Sequence, residues 1–413
     1  MKILHYARYG VFLLLCLPLF LSAKTPKPKI LIYGSTLEAY VAAVQSAASG
    51  VPTLWVNPQG YSFQGDRFRI QEALSMTVLD GGVIYQFVDK KSLAQDSIPG
   101  ARQNAKREAY NVLSPDNLLL TSLSNEDVVK IVRGKTWKVT LSNRKSYDFL
   151  SVLDASLSQD LLRKTSLGNL SALKSTPAKD LTLAASRATV LLRESKTDIY
   201  AYTLKDLFTQ KDNFFVLEAG AQAAESHKAF QIAYGQTMGA IASYCAFFKT
   251  TIDKIDLRTL QNELLTFRSR LLPAQDISFK DPNFMSLQRM YLAGILPLHI
   301  KDDKLIFDGE DSVRVADIRP IINQFYSRAQ LWFVDNNPEL ITVSDALNLI
   351  KYTAFRGEEL DVEVKRMWNK ELTFKGDYNP SKVISRYEFA VLFDIYAAPF
   401  VKKVSQDGQT ISR

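Results

Sequence analysis

Two stretches of this chain place small residues where backbone could lie against a ligand. Tyr33-Gly34-Ser35-Thr36-Leu37-Glu38-Ala39 joins an apolar tetrapeptide to a segment with helical spacing. A glycine-led turn opening a helix presents backbone N–H groups, and an anion such as a pyrophosphate binds there. Residues 233–248 carry Gly235, Gly239 and Ser243 four apart, one helical stripe open to a ligand or to another backbone. His227, just ahead of that helix, is a candidate acid–base group because its charge changes near neutral pH. Capping or a buried hydrogen bond would equally explain a histidine there. Asp253 and Asp256 fall at a helix start, where carboxylates are expected without catalysis. No metal centre is expected, since His227 and His299 are far apart and lack ligand spacing.

These residues need elements to hold them. Ile30-Leu31-Ile32-Tyr33, a helix bearing Leu37, Tyr40, Val41, Val44 and Ala48, and Thr53-Leu54-Trp55-Val56 predict a β-α-β unit, with Gly50 as the helix stop. From Val128 the pattern turns strand-like. Lys138–Leu141, a turn at Ser142-Asn143-Arg144 and the run 149–153 predict an antiparallel ribbon feeding a buried strand. Phe214-Phe215-Val216-Leu217 is another buried strand, leading to Gly220. From about Asp276 the chain reads as helical, and residues 307–318 and 378–390 form a weak internal repeat.

The first residues follow a targeting pattern: Lys2 and Arg8, an apolar run from Val11 to Leu21, and small residues at Ser22-Ala23. The run is about half of the ~20 residues a transmembrane helix needs, so a removable signal over 1–23 is expected, with a secreted or periplasmic product. Loss of Lys2 and Arg8 lowers the formal charge from +8 to +6. The cations read as scattered among acids, so no nucleic-acid partner is expected. Only Cys245 remains after cleavage, which excludes an intrachain disulfide. Glycine is scarce, at 18 residues, where an average chain would carry about 29.

In this order the pieces resemble a family of secreted bacterial FAD-dependent oxidoreductases with a two-part flavin domain. The family's loop Tyr-Gly-Gly-Thr-Pro-Ala-Gly is similar to residues 33–39, with Gly34 and Thr36 kept and Ala39 in place of the last glycine. The segment from Phe149 to Ser156 resembles the family's "FIDAT" strand and turn, and 212–220 its "NLLVAGR". Ser226-His227 and Tyr234-Gly235-Gln236 to Ala240 resemble "SHVAF…LGQAAGTAAA". The resemblance implies FAD as cofactor, contacted by Gly34, Ser35, Thr36, Asn57, Asp154, Gly220, Gly235, Gln236 and Gly239, with His227 beside it.

Three departures accompany this likeness. The acid that would bind the ribose is Asn57, which lacks the charge assistance of a carboxylate. Residues 60–65 do not match the family's Gly-Gly stretch. The chain is short between Asp80 and Tyr147 and between Asp160 and Tyr202, where a full member carries its substrate region.

The C-terminal part resembles S-layer-homology repeats, with 287–295 as helix and "GI" turn, and Val313–Asp317 and Ile384–Glu388 as versions of the "TRAE" helix start. Such repeats bind envelope polysaccharide in that family. The expected fold is α/β: a Rossmann-like FAD/NAD(P)-binding domain over 24–275 with an antiparallel β-ribbon insertion, then an α-helical domain over 276–413. The expected function is a divergent oxidoreductase, acting on a small-molecule substrate, with flavin binding and activity weakened or lost. The alternative is a non-catalytic envelope-binding module on the same scaffold.

Overall fold

The computed structural model describes residues 26–63, 78–83, 119–168, 173–195, 198–207, 212–217 and 228–411. The expected signal segment lies outside them. β1 (Ile30–Tyr33), α1 (Leu37–Ala48) and β2 (Thr53–Asn57) form a β-α-β unit. Both strands are continuous runs buried on both faces, as strands inside a parallel sheet must be. Thr36 caps α1, its Oγ1 accepting from the Ala39 N–H at 3.2 Å, and Gly50 turns the chain away with φ +78°.

β3 (Leu120–Ser124) is followed by a ribbon of β4 (Val128–Arg133), β5 (Trp137–Leu141) and β6 (Ser146–Phe149), antiparallel throughout, and then by β7 (Ser151–Asp154). A single-turn α2 (Asp160–Arg163) comes next. A small second sheet contains β8 (Thr176–Pro177), β9 (Thr189–Glu194) and β10 (Ile199–Thr203), with α3 (Leu183–Arg187) between its first two strands. β11 (Phe214–Val216) completes the main sheet, and α4 (Lys228–Phe248) and α5 (Leu257–Thr266) follow.

The main sheet has the order β11-β7-β1-β2-β3, with every neighbouring pair parallel. In order of appearance its strands run 3-2-1-4-5, the arrangement of a doubly wound sheet. The order reverses between β1 and β7, so the crevice of such a fold lies beyond the carboxyl ends of those strands. Alternate residues serve opposite faces. Ile30, Ile32, Leu153 and Phe215 join the core that includes α1 and α4. Leu31, Tyr33, Leu54, Val152, Phe214 and Val216 share a second core with Val128, Ile131, Trp137, Val139 and Phe149 of the ribbon. The ribbon therefore covers one face of the sheet and the helices the other.

The C-terminal region comprises α6 (Phe284–Ala293), a hairpin of β12 (His299–Lys301) and β13 (Lys304–Ile306), then α7 (Val315–Phe325), α8 (Ala329–Asp335), α9 (Val343–Ala354), α10 (Glu359–Met367) and α11 (Arg386–Ala397). Three of these helix starts, not two, are copies of one unit. The Val313 N–H donates to Ile384 O, Ile384 N–H to Ile341 O, and Ile341 N–H to Val313 O, which closes a three-membered ring of backbone bonds. Each ring residue is fully buried and is followed by the N-cap of α7, α9 or α11: Arg314, Thr342 and Ser385. Thr342 with Asp345 and Ser385 with Glu388 are capping boxes. The copy at Ile341-Thr342-Val343-Ser344-Asp345 escaped the sequence comparison because it has neither the preceding aromatic nor the arginine of the other two.

The two regions share one apolar core. At their seam, Arg258 Nη2 donates to Leu292 O at 3.1 Å and Arg187 Nε to Ala293 O at 3.0 Å. Both guanidinium groups thus satisfy carbonyls at the negative end of α6, where no intrahelical donor exists. Burial, with Arg187 alongside, pushes the Arg258 pKa down to about 9.

Candidate functional site

The crevice residues are held by the chain itself. Gly34 has φ +141°, and a Cβ there would lie 2.6 Å from the carbonyl carbon and oxygen of Ala155. The loop after β1 therefore packs on the loop after β7. Ala155 N–H donates to Tyr33 O at 2.7 Å, and Thr36 Oγ1 donates to Ala155 O at 3.3 Å. Contact with the chain's own backbone is sufficient reason for a glycine here. Ser35 Oγ accepts from the Gln59 N–H at 2.8 Å, tying this loop to the turn after β2.

Asn57 ends β2 at 1% exposure. Its Nδ2 donates to Tyr61 O at 3.0 Å, and its Oδ1 accepts from Tyr61 N–H at 2.8 Å. The amide thus reads the backbone of Tyr61 as a neighbouring strand would, and closes a five-residue loop. A carboxylate could not make this pair, because it has no donor for the Tyr61 carbonyl.

Asp154 ends β7 with no exposed surface. Oδ1 accepts from the N–H and Oγ of Ser156, at 3.1 and 2.6 Å, and Oδ2 from the N–H groups of Leu161 and Leu162, both at 2.9 Å. It anchors the start of α2 in place of a capping residue. Burial raises its pKa, while these four donors act in the opposite direction.

The small-residue stripe faces a helix. A Cβ on Gly235 would meet Glu38 O at 2.6 Å, and one on Gly239 would meet Ala42 O at 2.6 Å. Ser46 and Ser243 both donate to Gly239 O, at 3.1 and 2.7 Å. Gln236 is fully buried, with Oε1 accepting from Val83 N–H at 2.9 Å and Nε2 donating to Phe267 O at 3.0 Å. Gly220 and His227 lie outside the described residues. Asp256 caps α5 through Thr259, as its position predicts.

Three groups were missed by sequence reasoning. Glu38 sits in the first turn of α1 at 3% exposure, and burial raises its pKa against hydrogen bonds from Thr36 and Gln231. The helix end that would meet a pyrophosphate thus already carries a carboxyl group. An acid just inside a predicted cap was the available signal. His299, Asp308 and Asp311 bring possible ligand atoms within 4.8 Å of one another, which their sequence spacing conceals across the β12–β13 hairpin. Asp311 Oδ1 also accepts from Ser312 N–H at 2.7 Å. Arg386, the only arginine at the first helical position of the three copies, is 2% exposed. Its Nε donates to Phe307 O at 3.0 Å and its Nη2 to Pro297 O.

These contacts test the fit of a flavin. Among the described residues, the polar groups that the resemblance would aim at FAD are turned onto Tyr61, Ser156, α2, Val83 and Phe267. The glycines answer to Ala155 and α1. The described residues do not form a ready cradle for the cofactor.

No family model and no curated protein matches this sequence. Among solved structures, the chain is similar to PqsL, a probable FAD-dependent monooxygenase from Pseudomonas aeruginosa, at 10% identity over 58% of this chain and 92% of that one, with a TM-score of 0.30. It is also similar to the halogenase PltM, at 12% identity over 65% and 80% of the two chains and a TM-score of 0.26. The bacillithiol disulfide reductase Bdr from Staphylococcus aureus matches at 14% identity over 38% and 44%, with a TM-score of 0.19. At such low TM-scores the function of this chain has to be argued from its own residues.

Proposed function

We propose that this chain is an exported, divergent flavoprotein-type scaffold whose FAD affinity is weak or lost, and which works by binding rather than by redox turnover. The observation that carries the reading is Asn57. It stands where the family's ribose-binding acid would be, is buried, and has both amide groups on Tyr61. Glu38 adds a carboxyl group at the helix end a pyrophosphate would need. Export is supported by the basic, apolar and small-residue order of 1–23.

The test is a visible spectrum of the purified chain followed by titration with FAD. The expected protein is colourless, and added FAD shows no saturable quenching at micromolar concentrations. A yellow protein with stoichiometric flavin would overturn the reading. Export is tested separately by cell fractionation, with mass spectrometry locating the new N-terminus near residue 24. Attachment to polysaccharide through the C-terminal repeats has less support, because Arg386 is buried on two carbonyls and its counterparts are Val315 and Val343.

A further inference from the structure

The outward face of the ribbon displays a basic stretch of the sequence, a local exception to the scatter of cations among acids along the rest of the chain. Between Asp127 and Asp148 the chain has six cations and no acid: Lys130, Arg133, Lys135, Lys138, Arg144 and Lys145. The pairing of β4, β5 and β6 sorts these residues. Ile131 and Val139 point into the core, while Lys130 stands beside Thr140 and Ser146 in one outward row and Val132 beside Lys138 and Asp148 in the next. Because facing pairs alternate between the two sides, Lys130 and Lys138 are diagonal neighbours on the exposed side. With Arg133, Lys135 and the hydroxyls of Thr140 and Ser146 they line an open hollow of about 610 Å³. Arg133 pairs with Asp212 at 3.9 Å and lies over the Trp137 ring. Among the described residues, Lys130, Lys135 and Lys138 form no ion pair.

We propose that this face docks an acidic, carboxylate-bearing polysaccharide. The charge is complementary, since three unpaired ammonium groups around a concave surface attract a polyanion. Thr140 and Ser146, whose hydroxyls lie 3.0 Å apart, offer donors and acceptors suited to sugar hydroxyls. The two outward rows hold lysine, threonine, serine, valine and aspartate but no aromatic ring, so the base stacking that single-stranded nucleic acid relies on is not provided. The ribbon's rings, Trp137, Tyr147 and Phe149, belong to the core side. The proposal rests on the reading of an exported binding module, which places the chain where acidic glycans occur.

The experiment measures binding of the purified full chain to polygalacturonate, with pullulan, an oligothymidylate and phosphatidylserine vesicles as comparators. Saturable binding to polygalacturonate that weakens with salt is expected, with none to pullulan. Lys130→Ala/Lys135→Ala/Lys138→Ala should weaken it at least tenfold and flatten its salt dependence, while the corresponding triple arginine variant keeps it. Lys365→Ala/Arg366→Ala/Lys370→Ala removes equal charge from exposed sites on and just after α10 and should change binding by less than twofold. Equal losses in both alanine triples, tighter binding to oligothymidylate or vesicles, or no binding to polygalacturonate would overturn the proposal. A flavin spectrum and fractionation on the same preparation keep a failure of the parent reading separate, because neither affects this binding measurement.

Discussion

At the carboxyl edge of the parallel sheet, Asn57 and Asp154 turn their polar atoms back onto the loops that carry them. At the centre of the C-terminal helices, Arg386 does the same with the carbonyls of Phe307 and Pro297. The ribbon differs: Lys130, Lys135 and Lys138 project outward from the β4–β5 hairpin and, among the described residues, form no ion pair. Where the chain resembles ligand-binding families, the matching residues hold the fold together; where it resembles none, polar groups stay open to solvent. A motif match therefore locates architecture here better than it locates chemistry.

That contrast is most exposed at the α1–α4 contact. If Gly239 is present for packing, Gly239→Val must push Ala42 away from a position 2.6 Å from the new Cβ. The expected loss is about 3 kcal/mol or more in urea unfolding, the upper range for overpacking. A variant as stable as the parent would return the stripe to a ligand-facing role. Arg386→Met comes next. It leaves Phe307 O and Pro297 O without donors, with an expected cost of about 2–3 kcal/mol. A stable Arg386→Met protein would mean that this arginine is available to a ligand, and the comparison with Asn57 would fail.

Four strands of the parallel sheet were legible because they are largely apolar runs and the first helix has both a cap and a stop; the edge strand β3 was not, because Leu120–Ser124 is polar and mostly exposed. The ribbon was visible from alternation and a turn. β9 and β10 were not, since the likeness marks the stretch from Asp160 to Tyr202 only as shortened and assigns no strand there. The site was legible only as positions. That Gly34, Thr36, Asn57, Asp154 and Gly235 cluster near one sheet edge follows from the strand order, but which partner each one takes depends on Tyr61, Ala155 and Glu38. Those contacts join residues far apart in the chain, 119 positions for Thr36 with Ala155 and 197 (235 − 38) for Gly235 with Glu38, and no local spacing encodes them. The third helix copy was hidden for a related reason: a backbone ring constrains hydrogen bonds and burial, which Ile341 meets as well as Val313 or Ile384 does.

A pH series compares the two regions from another side. Asp394 of α11 is buried against α6, 3.5 Å from Arg289, and desolvation raises its carboxyl to about 6 despite that cation. The folded chain then binds this proton more tightly than the unfolded chain. Its contribution to stability is full below about pH 4, falls as pH rises to about 6, and is flat above that, a change of about 3 kcal/mol. Asp394→Asn should remove the slope. A parent protein whose Tm rises between pH 4 and 6 while the variant's behaves identically would show that Asp394 is solvated, and that the helical region is looser than the sheet edge.

The smallest expected effect decides most about the sheet edge. Asn57→Asp restores the acid that the resemblance calls for, and two outcomes are physically distinct. If the loop keeps its present form, the new carboxylate faces the Tyr61 carbonyl without a donor between them, which costs about 1–2 kcal/mol at neutral pH. That cost shrinks as acid protonates the group. FAD affinity then stays at the parent's level, because the acid points at Tyr61 and the first turn of α1 still holds Glu38. If the loop instead opens, the carboxylate reaches solvent, stability changes little, and flavin titration shows a gain. Thermal unfolding at two pH values with FAD titration on one sample separates the cases. The first outcome would make the closed loop the cause of the affinity loss proposed above; the second would make the missing charge the cause, and would place this edge with the ribbon as a surface still able to take a ligand.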